Sequence, residues 1–239
     1  MKNNKRAVSI LLIAAVILAA MTTVVPAFAA AAENDSSFID EYQVVPYSYQ
    51  SIGVDEEVWL DSSFLYSDRM LLEGANSLST DLAKASVALS SAAYDADMIM
   101  ETLDTLQFTY DETAVAAAYD KVDASQDNIT IHDNDYVAYV ISSKEFVSPD
   151  NGEKYIAYCI PVKGTSANAE WFSNFHLGDT GKHTGFHVAA GRIYDALCTA
   201  IENETEEYDA DHRIVWLTGH SRGAAVANIL AGTLSDSCD

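Results

Sequence analysis

A serine with a glycine two residues away on each side is the feature of this sequence with the clearest chemical potential. Gly219–Gly223 reads Gly-His-Ser-Arg-Gly and places Ser221 at the centre of a G-x-S-x-G motif. Such a serine acts as a nucleophile when it lies on a tight turn between a strand and a helix with its hydroxyl exposed. The glycines remove Cβ atoms where the strand and the helix nearly touch. The motif predicts nucleophilic serine chemistry if its neighbours form those two elements.

The residues on both sides of the motif predict the required strand and helix. Ile214–Leu217 is a short apolar run, which is typical of a strand buried on both faces. The residues after the motif include Ala224, Ala225 and Ala227, which would allow a helix to lie close to the sheet. We therefore expect a strand, a tight turn that carries the serine, and a helix.

The preceding segments predict a sheet for this strand to join. Tyr136–Ile141 and Tyr155–Val162 are β-rich and are separated by the turn signal Pro149–Gly152, so they should pair as antiparallel neighbours. Phe186–Ile201 has the apolar period of an amphipathic helix. Strand, crossover helix and strand form the unit of a parallel sheet, so the order of elements predicts the α/β class.

Residues 30–76 and the start of the domain at residue 77 carry no reactive constellation. Residues 30–76 lack a steady period, which predicts an irregular lead-in segment whose aromatic residues pack on the domain. From Ser77 the pattern becomes helical, and further helices are expected at residues 97–106 and 115–119. These helices are expected to act as scaffold.

Residues 1–29 are typical of a secretory signal peptide. Lys2, Lys5 and Arg6 form a positive start, residues 10–20 are apolar, and Ala27–Ala29 is a small-residue cleavage site. The apolar stretch is short for a membrane span. We therefore expect cleavage after Ala29 and secretion of the remainder.

Composition excludes several classes of partner. The formal net charge of −23 makes nucleic acid and anionic membranes unfavourable partners. A lipid substrate would have to be bound through apolar surface. Three cysteines imply no disulfide framework, and Cys159 and Cys198 are expected as small apolar residues.

Two candidate metal sites lack ligands that they would need. His183 and His187 are four residues apart, but no glutamate follows the first histidine and no third zinc ligand is evident. Residues 123–134 begin like a calcium loop, but Asn128 stands where glycine is needed and Asn134 where a bidentate glutamate belongs. No metal or cofactor is expected.

Three blocks of residues together resemble one known family. These are Lys163–Thr165 with Trp171 and Asn174 downstream, His183–Phe186 at a helix start, and Gly219–Gly223. In this order and at these spacings they resemble the class 3 (fungal-type) lipases, in the bacterial branch of that α/β-hydrolase family. The resemblance extends from Lys163 to the helix after the serine.

The resemblance implies an α/β-hydrolase-like, mostly parallel sheet flanked by helices, with residues 77–239 as an incomplete domain. It implies a secreted serine hydrolase that cleaves carboxylic esters of lipids, with Ser221 as the nucleophile. Thr165 and the backbone N–H of Arg222 would form the oxyanion hole. The substrate would be a lipid or a small ester, and contact with lipid surfaces would be at most transient. Lys163 replaces the family's usual arginine, which puts a bidentate support for its loop in doubt.

The general base that the family uses is not evident. In α/β-hydrolases the order along the chain is serine, acid, histidine. Asp236 and Asp239 follow Ser221, but no histidine does. We therefore expect the chain to be truncated after the motif, with the catalytic acid and histidine downstream. His220 should point away from Ser221, and His183 and His187 are expected in structural positions at a helix start.

Two other functions remain open from the sequence. A non-catalytic, acidic binding module on a hydrolase scaffold would need no histidine. A peptidase or an acyltransferase would keep the serine turn and change the acyl group.

Overall fold

The structure is a computed structural model, which describes residues 9–12, 37–52, 57–74, 77–124, 135–165, 182–204 and 208–236. In chain order its elements are β1 (Ser9–Leu12), β2 (Gln43–Ile52), β3 (Glu57–Tyr66), α1 (Arg69–Leu72), α2 (Thr80–Ala92), α3 (Ala96–Thr105), β4 (Thr109–Tyr110), α4 (Glu112–Ala124), β5 (Ser142–Val147), β6 (Lys154–Val162), α5 (Thr184–Glu202), a 3₁₀ turn (Ala210–His212), β7 (Arg213–Gly219) and α6 (Arg222–Asp236).

Five of these strands form one mixed sheet in the order β1-β7-β6-β5-β4. β7 is parallel to both of its neighbours, β1 and β6, whereas β5 is antiparallel to β6 and to β4. The crossover helix α5 lies between the parallel strands β6 and β7 in the chain. The predicted α/β class is confirmed, and the sheet is parallel on the side of β7 and antiparallel on the side of β5.

Alternating residues of β7 face two different apolar cores. Ile214 and Trp216 belong to the core that contains α2 and α3, whereas Val215 and Leu217 belong to the core that contains α5 and α6. Successive side chains of a strand point to opposite faces, so a strand covered on both faces must be apolar throughout. This explains why the apolar run predicts a central strand.

The helices lie close to their predicted positions. In α2, Leu82, Ala85 and Leu89 are buried on one face, whereas Leu78 precedes the helix and is 74% exposed. α2 begins after Ser79, whose side chain accepts a hydrogen bond from the backbone of Leu82 and so caps the helix. α3 and α5 match the predicted helices closely, whereas α4 extends beyond the predicted short helix at both ends.

The lead-in segment, predicted to be irregular, contains a long hairpin. β2 and β3 pair antiparallel over ten residues each and form a separate two-stranded sheet. Val45, Phe64 and Tyr66 are buried on its inner face, so the predicted packing of aromatic residues on the domain is confirmed for Phe64 and Tyr66, whereas Tyr42 and Trp59 are nearly half exposed. The prediction of irregularity was wrong because the hairpin packs on α2 and α3, which lie later in the chain.

The antiparallel pair around Pro149–Gly152 is shifted from its predicted position. β5 begins at Ser142, so the expected strand Tyr136–Ile141 was wrong, and Tyr139 makes only an isolated bridge to Val162. Pro161 lies next to the end of β6, as a residue without a backbone N–H donor should. Ser142 is buried and its hydroxyl donates to the carbonyl of Cys159, which explains why a polar residue begins a central strand.

A buried ion pair joins the hairpin region to β5. Lys144 Nζ lies 2.7 Å from an Asp68 carboxylate oxygen, and both side chains are at most 2% exposed. Asp68 also accepts hydrogen bonds from the hydroxyl of Tyr66 and the backbone of Ile39, and Lys144 donates to the carbonyl of Leu106. These further bonds satisfy the polar atoms of a pair that would be costly to bury alone.

Cys159 and Cys198 are free thiols, and Cys159 is fully buried. Burial raises the pKa of the Cys159 thiol, so this group stays neutral in the core. The expected role of Cys159 as a small apolar residue is confirmed.

The N-terminal strand β1 lies beside β7 and falls within the predicted signal peptide. Cleavage after Ala29, which the sequence predicts, would remove β1 and leave that edge of β7 without it. Within the described parts of the chain, no helix is both long and apolar enough to cross a membrane.

His212 fixes the beginning of β7. Its Nδ1 lies 2.5 Å from a carboxylate oxygen of Asp209, and its Nε2 lies 3.3 Å from a carboxylate oxygen of Glu153, just before β6. The hydrogen bond with Asp209 and the further bond with Glu153 raise the pKa of His212 above its ordinary value of 6.5. The raised pKa favours the protonated ring, which ties the start of β7 to the start of β6.

We expect this contact to make stability depend on pH. Because the folded-state pKa is raised, the stabilisation by His212 is complete below pH 6.5, the ordinary value, and is lost as the pH rises through the folded-state pKa. The free energy of unfolding of the wild type minus that of His212→Gln should fall as the pH rises through this range, as measured by urea titration. A difference that stays constant or grows with pH would contradict this account.

Candidate active site

The backbone at Ser221 has the conformation that the motif predicts. β7 ends at Gly219, α6 begins at Arg222, and Ser221 lies between them with φ of +54°. A positive φ is uncommon for a residue with a side chain and persists only where the surroundings impose it. The serine is exposed at this turn.

The two glycines of the motif are required by close contacts. A Cβ atom added to Gly219 would lie 2.5 Å from the carbonyl carbon of Gly223. A Cβ atom added to Gly223 would lie 2.3 Å from the carbonyl oxygen of Val162, at the end of β6. Both distances are far below van der Waals contact, so the start of α6 can approach the strands only because both residues lack side chains.

The loop after β6 lies beside the serine turn. Val162 and Gly219 are the last paired residues of the parallel strands β6 and β7, so both chains leave the sheet at the same edge. A Cβ atom added to Gly164 would lie 2.8 Å from the carbonyl oxygen of His220. Thr165, predicted as an oxyanion donor, is the next residue. The structure therefore brings the loop of Thr165 and the turn of Ser221 to one edge of the sheet.

Arg222 is the first residue of α6, and its side chain is buried. The N–H groups of a helix's first turn carry partial positive charge and favour an anion in front of them. The predicted role of Arg222, which uses its main chain, is compatible with this position. Its guanidinium lies inside the protein and not on the surface around Ser221.

Lys163 holds its loop through its main chain and through a contact of its ammonium group with an aromatic ring. The side chain is only 4% exposed, and Nζ lies 5.3 Å from the centre of the Tyr119 ring on α4. Its backbone N–H donates to the carbonyl of Ala138. The ammonium is therefore held over an aromatic ring, and the loop is fixed by its main chain.

His183 and His187 occupy the structural positions that the sequence predicts. His183 precedes α5 and its Nδ1 accepts a hydrogen bond from the backbone N–H of Phe186, whose ring stacks on the imidazole at 3.5 Å. His187 Nδ1 lies 3.0 Å from the carbonyl oxygen of His183. Both histidines stabilise the beginning of α5. In the parts of the chain that the structure covers, no group of three potential ligands could hold a metal ion.

His220 contacts a residue that sequence reasoning did not identify. Its Nδ1 lies 2.8 Å from the hydroxyl oxygen of Tyr94, which follows α2. Nothing in the local sequence marks Tyr94, because it lies 126 residues before His220 and follows an ordinary scaffold helix. The remaining residues of the first family-like block, Trp171 and Asn174, lie outside the described residues, as does the neighbouring Phe172.

Residues 159–237 match the family model described as lipase (class 3). The matched segment begins within β6 and contains α5, β7, the serine turn and α6. No curated protein and no solved structure gave a match.

We expect the two glycines of α6 to respond in opposite ways to alanine. Gly223→Ala places a Cβ atom against the carbonyl of Val162 and should cost about 1–3 kcal/mol of stability or more. Gly232→Ala, on the same helix, meets nothing within 4 Å and should stabilise the protein by about 0.5–1 kcal/mol. Urea denaturation of both variants measures the contrast. Equal effects of the two substitutions would show that the close approach is not what requires Gly223.

Proposed function

Because residues 159–237 match the family model described as lipase (class 3), we propose that this protein is a secreted serine hydrolase that cleaves carboxylic esters of lipids. The family supports a lipase-like ester hydrolase in general, and the individual residues are our assignment. The observation that carries the assignment is the backbone of Ser221, which has φ of +54° on the turn between β7 and α6. We assign Ser221 as the nucleophile.

In the proposed reaction the Ser221 hydroxyl oxygen attacks the ester carbonyl carbon while a general base takes its proton. The carbonyl oxygen becomes an oxyanion, which Thr165 and the backbone N–H of Arg222 would stabilise. Each such donor lowers the barrier by about 3–4 kcal/mol. Breakage of the carbon–oxygen bond releases the alcohol, which takes the proton from the base. Water, deprotonated by the base, then attacks the acyl-serine, which releases the carboxylic acid and returns a proton to the Ser221 oxygen.

The positions of the two donors favour this assignment. Thr165 follows Gly164, which touches the serine turn at the carbonyl of His220. Arg222 begins α6, whose N-terminal end favours negative charge. An oxyanion formed at Ser221 would thus lie between the end of the β6 loop and the first turn of α6. No cofactor is required for this chemistry.

The proposed reaction needs a histidine as the general base, and in α/β-hydrolases this histidine follows the serine in the chain. The four histidines that the structure describes have other contacts. His183 and His187 hold the start of α5, His212 holds the start of β7, and His220 contacts Tyr94. None of these contacts orients an imidazole toward Ser221 by way of a carboxylate.

These same contacts favour one alternative function, a non-catalytic binding module on the hydrolase scaffold. In that case the described histidines would have structural roles only, and Ser221 would not react. The two functions differ in a single property, which is ester turnover that depends on Ser221.

We expect full-length protein to hydrolyse a short-chain p-nitrophenyl ester, and Ser221→Ala to lower kcat by about 10⁴-fold or more. Thr165→Val, which keeps the side-chain shape, should lower kcat by about 10²-fold because it removes a hydroxyl donor to the oxyanion. Ser235→Ala is the matched control, since Ser235 is exposed near the other end of α6.

Three results would distinguish the possibilities. Loss of turnover in Ser221→Ala but not in Ser235→Ala supports the hydrolase. Turnover that survives Ser221→Ala would exclude Ser221 as the nucleophile. A folded wild type without any turnover on esters would favour the binding module.

A further inference from the structure

Tyr94 contacts the serine turn through its hydroxyl group. The hydroxyl oxygen and His220 Nδ1 are 2.8 Å apart, a normal hydrogen-bond length. The two rings are tilted by 52°, with their centres 5.9 Å apart. This bond restrains His220. Because His220 immediately precedes Ser221, it also limits where the serine can lie.

The same hydroxyl group also lies against the loop of Thr165. A Cβ atom added to Gly164 would be 2.0 Å from the Tyr94 hydroxyl oxygen and 2.6 Å from the ring carbon that bears it. The tip of the tyrosine therefore occupies the space where a side chain at residue 164 would be. Tyr94 touches both segments that the proposed reaction uses.

The helix that precedes Tyr94 is fixed to the strand that precedes the serine. On α2, the hydroxyl of Ser86 accepts a hydrogen bond from the indole N–H of Trp216, and its carbonyl accepts one from the hydroxyl of Thr218. All three side chains are buried. Tyr94 therefore follows a helix, α2, that two buried hydrogen bonds hold against β7.

We propose that Tyr94 is a positioning residue that holds the loop of Gly164 and Thr165 at a fixed separation from His220 and Ser221. This proposal rests on the proposed function, since it assigns the separation of nucleophile and oxyanion donor to Tyr94. The hydrogen bond restrains one segment and the contact with Gly164 restrains the other. Tyr94 acts on the reaction only through these two segments.

The consequence of losing this restraint should appear in the chemical step. Oxyanion donors work only when they are held at the place where the negative charge develops, and small displacements are costly. Removal of the Tyr94 hydroxyl should therefore lower kcat about 10-fold and leave KM nearly unchanged, which indicates an interaction needed in the transition state.

The test compares Tyr94→Phe with Tyr110→Phe in full-length protein, by steady-state hydrolysis of a p-nitrophenyl ester. Tyr110 is the matched control because its hydroxyl also donates at 2.8 Å, to Asp104, at the antiparallel end of the sheet. We expect kcat to fall in Tyr94→Phe and to stay at the wild-type value in Tyr110→Phe. Equal kcat values in the two variants would overturn the proposal.

A double-mutant cycle separates positioning from general destabilisation. His220→Gln removes the partner of Tyr94 and should also lower kcat, and Tyr94→Phe in the His220→Gln background should cost much less than in the wild type. If Tyr94→Phe costs the same factor in both backgrounds, the two side chains act independently and the proposal is wrong. Thermal melting of each variant confirms that the folded protein is compared.

Ser221→Ala, measured in the same assay, distinguishes failure of this proposal from failure of the proposed function. If Ser221→Ala retains turnover, the proposed function fails and the positioning role fails with it. If Ser221→Ala is inactive and Tyr94→Phe is as active as the wild type, only the role of Tyr94 is excluded.

Discussion

The arrangement of the site depends on one close approach, between the first turn of α6 and the end of β6. The Cα atom of Gly223 lies so near the carbonyl of Val162 that an added Cβ would be 2.3 Å from its oxygen. With α6 in this position, the chain leaving β7 must turn sharply, and Ser221 takes a positive φ. A strained backbone of this kind persists because the packing around it leaves no relaxed alternative.

The close approach of α6 to β6 is maintained by β7, which packs against an apolar core on each of its faces. β7 contributes Trp216 to one core and Leu217 to the other, and Trp216 stacks parallel to Tyr66 of the hairpin at 6.2 Å between ring centres. Ser86 accepts hydrogen bonds from both Trp216 and Thr218, so α2 is held against β7. The rigid sheet thereby fixes the backbone of the serine turn, and the side chains of the turn can remain exposed.

The parts of this structure that were predictable from the sequence are those that depend on local patterns. The apolar run of β7, the glycines around Ser221 and the position of His183 at a helix start each depend on neighbouring residues. The contact of Tyr94 with His220 and the ion pair of Lys144 with Asp68 join residues 126 and 76 positions apart, and no local pattern marks them. The hairpin of β2 and β3 was missed because its burial on one face comes from α2 and α3, which lie later in the chain.

We propose that the strained turn makes Ser221 a reactive nucleophile. The most direct measurement is to treat the folded, full-length protein with a fluorophosphonate and to locate the adduct by mass spectrometry of its peptides. We predict a single adduct on Ser221, since among the described serines only this one has a positive φ, on the turn that the chemistry requires. An adduct on another serine, or an unmodified Ser221 in protein that hydrolyses esters, would contradict the account.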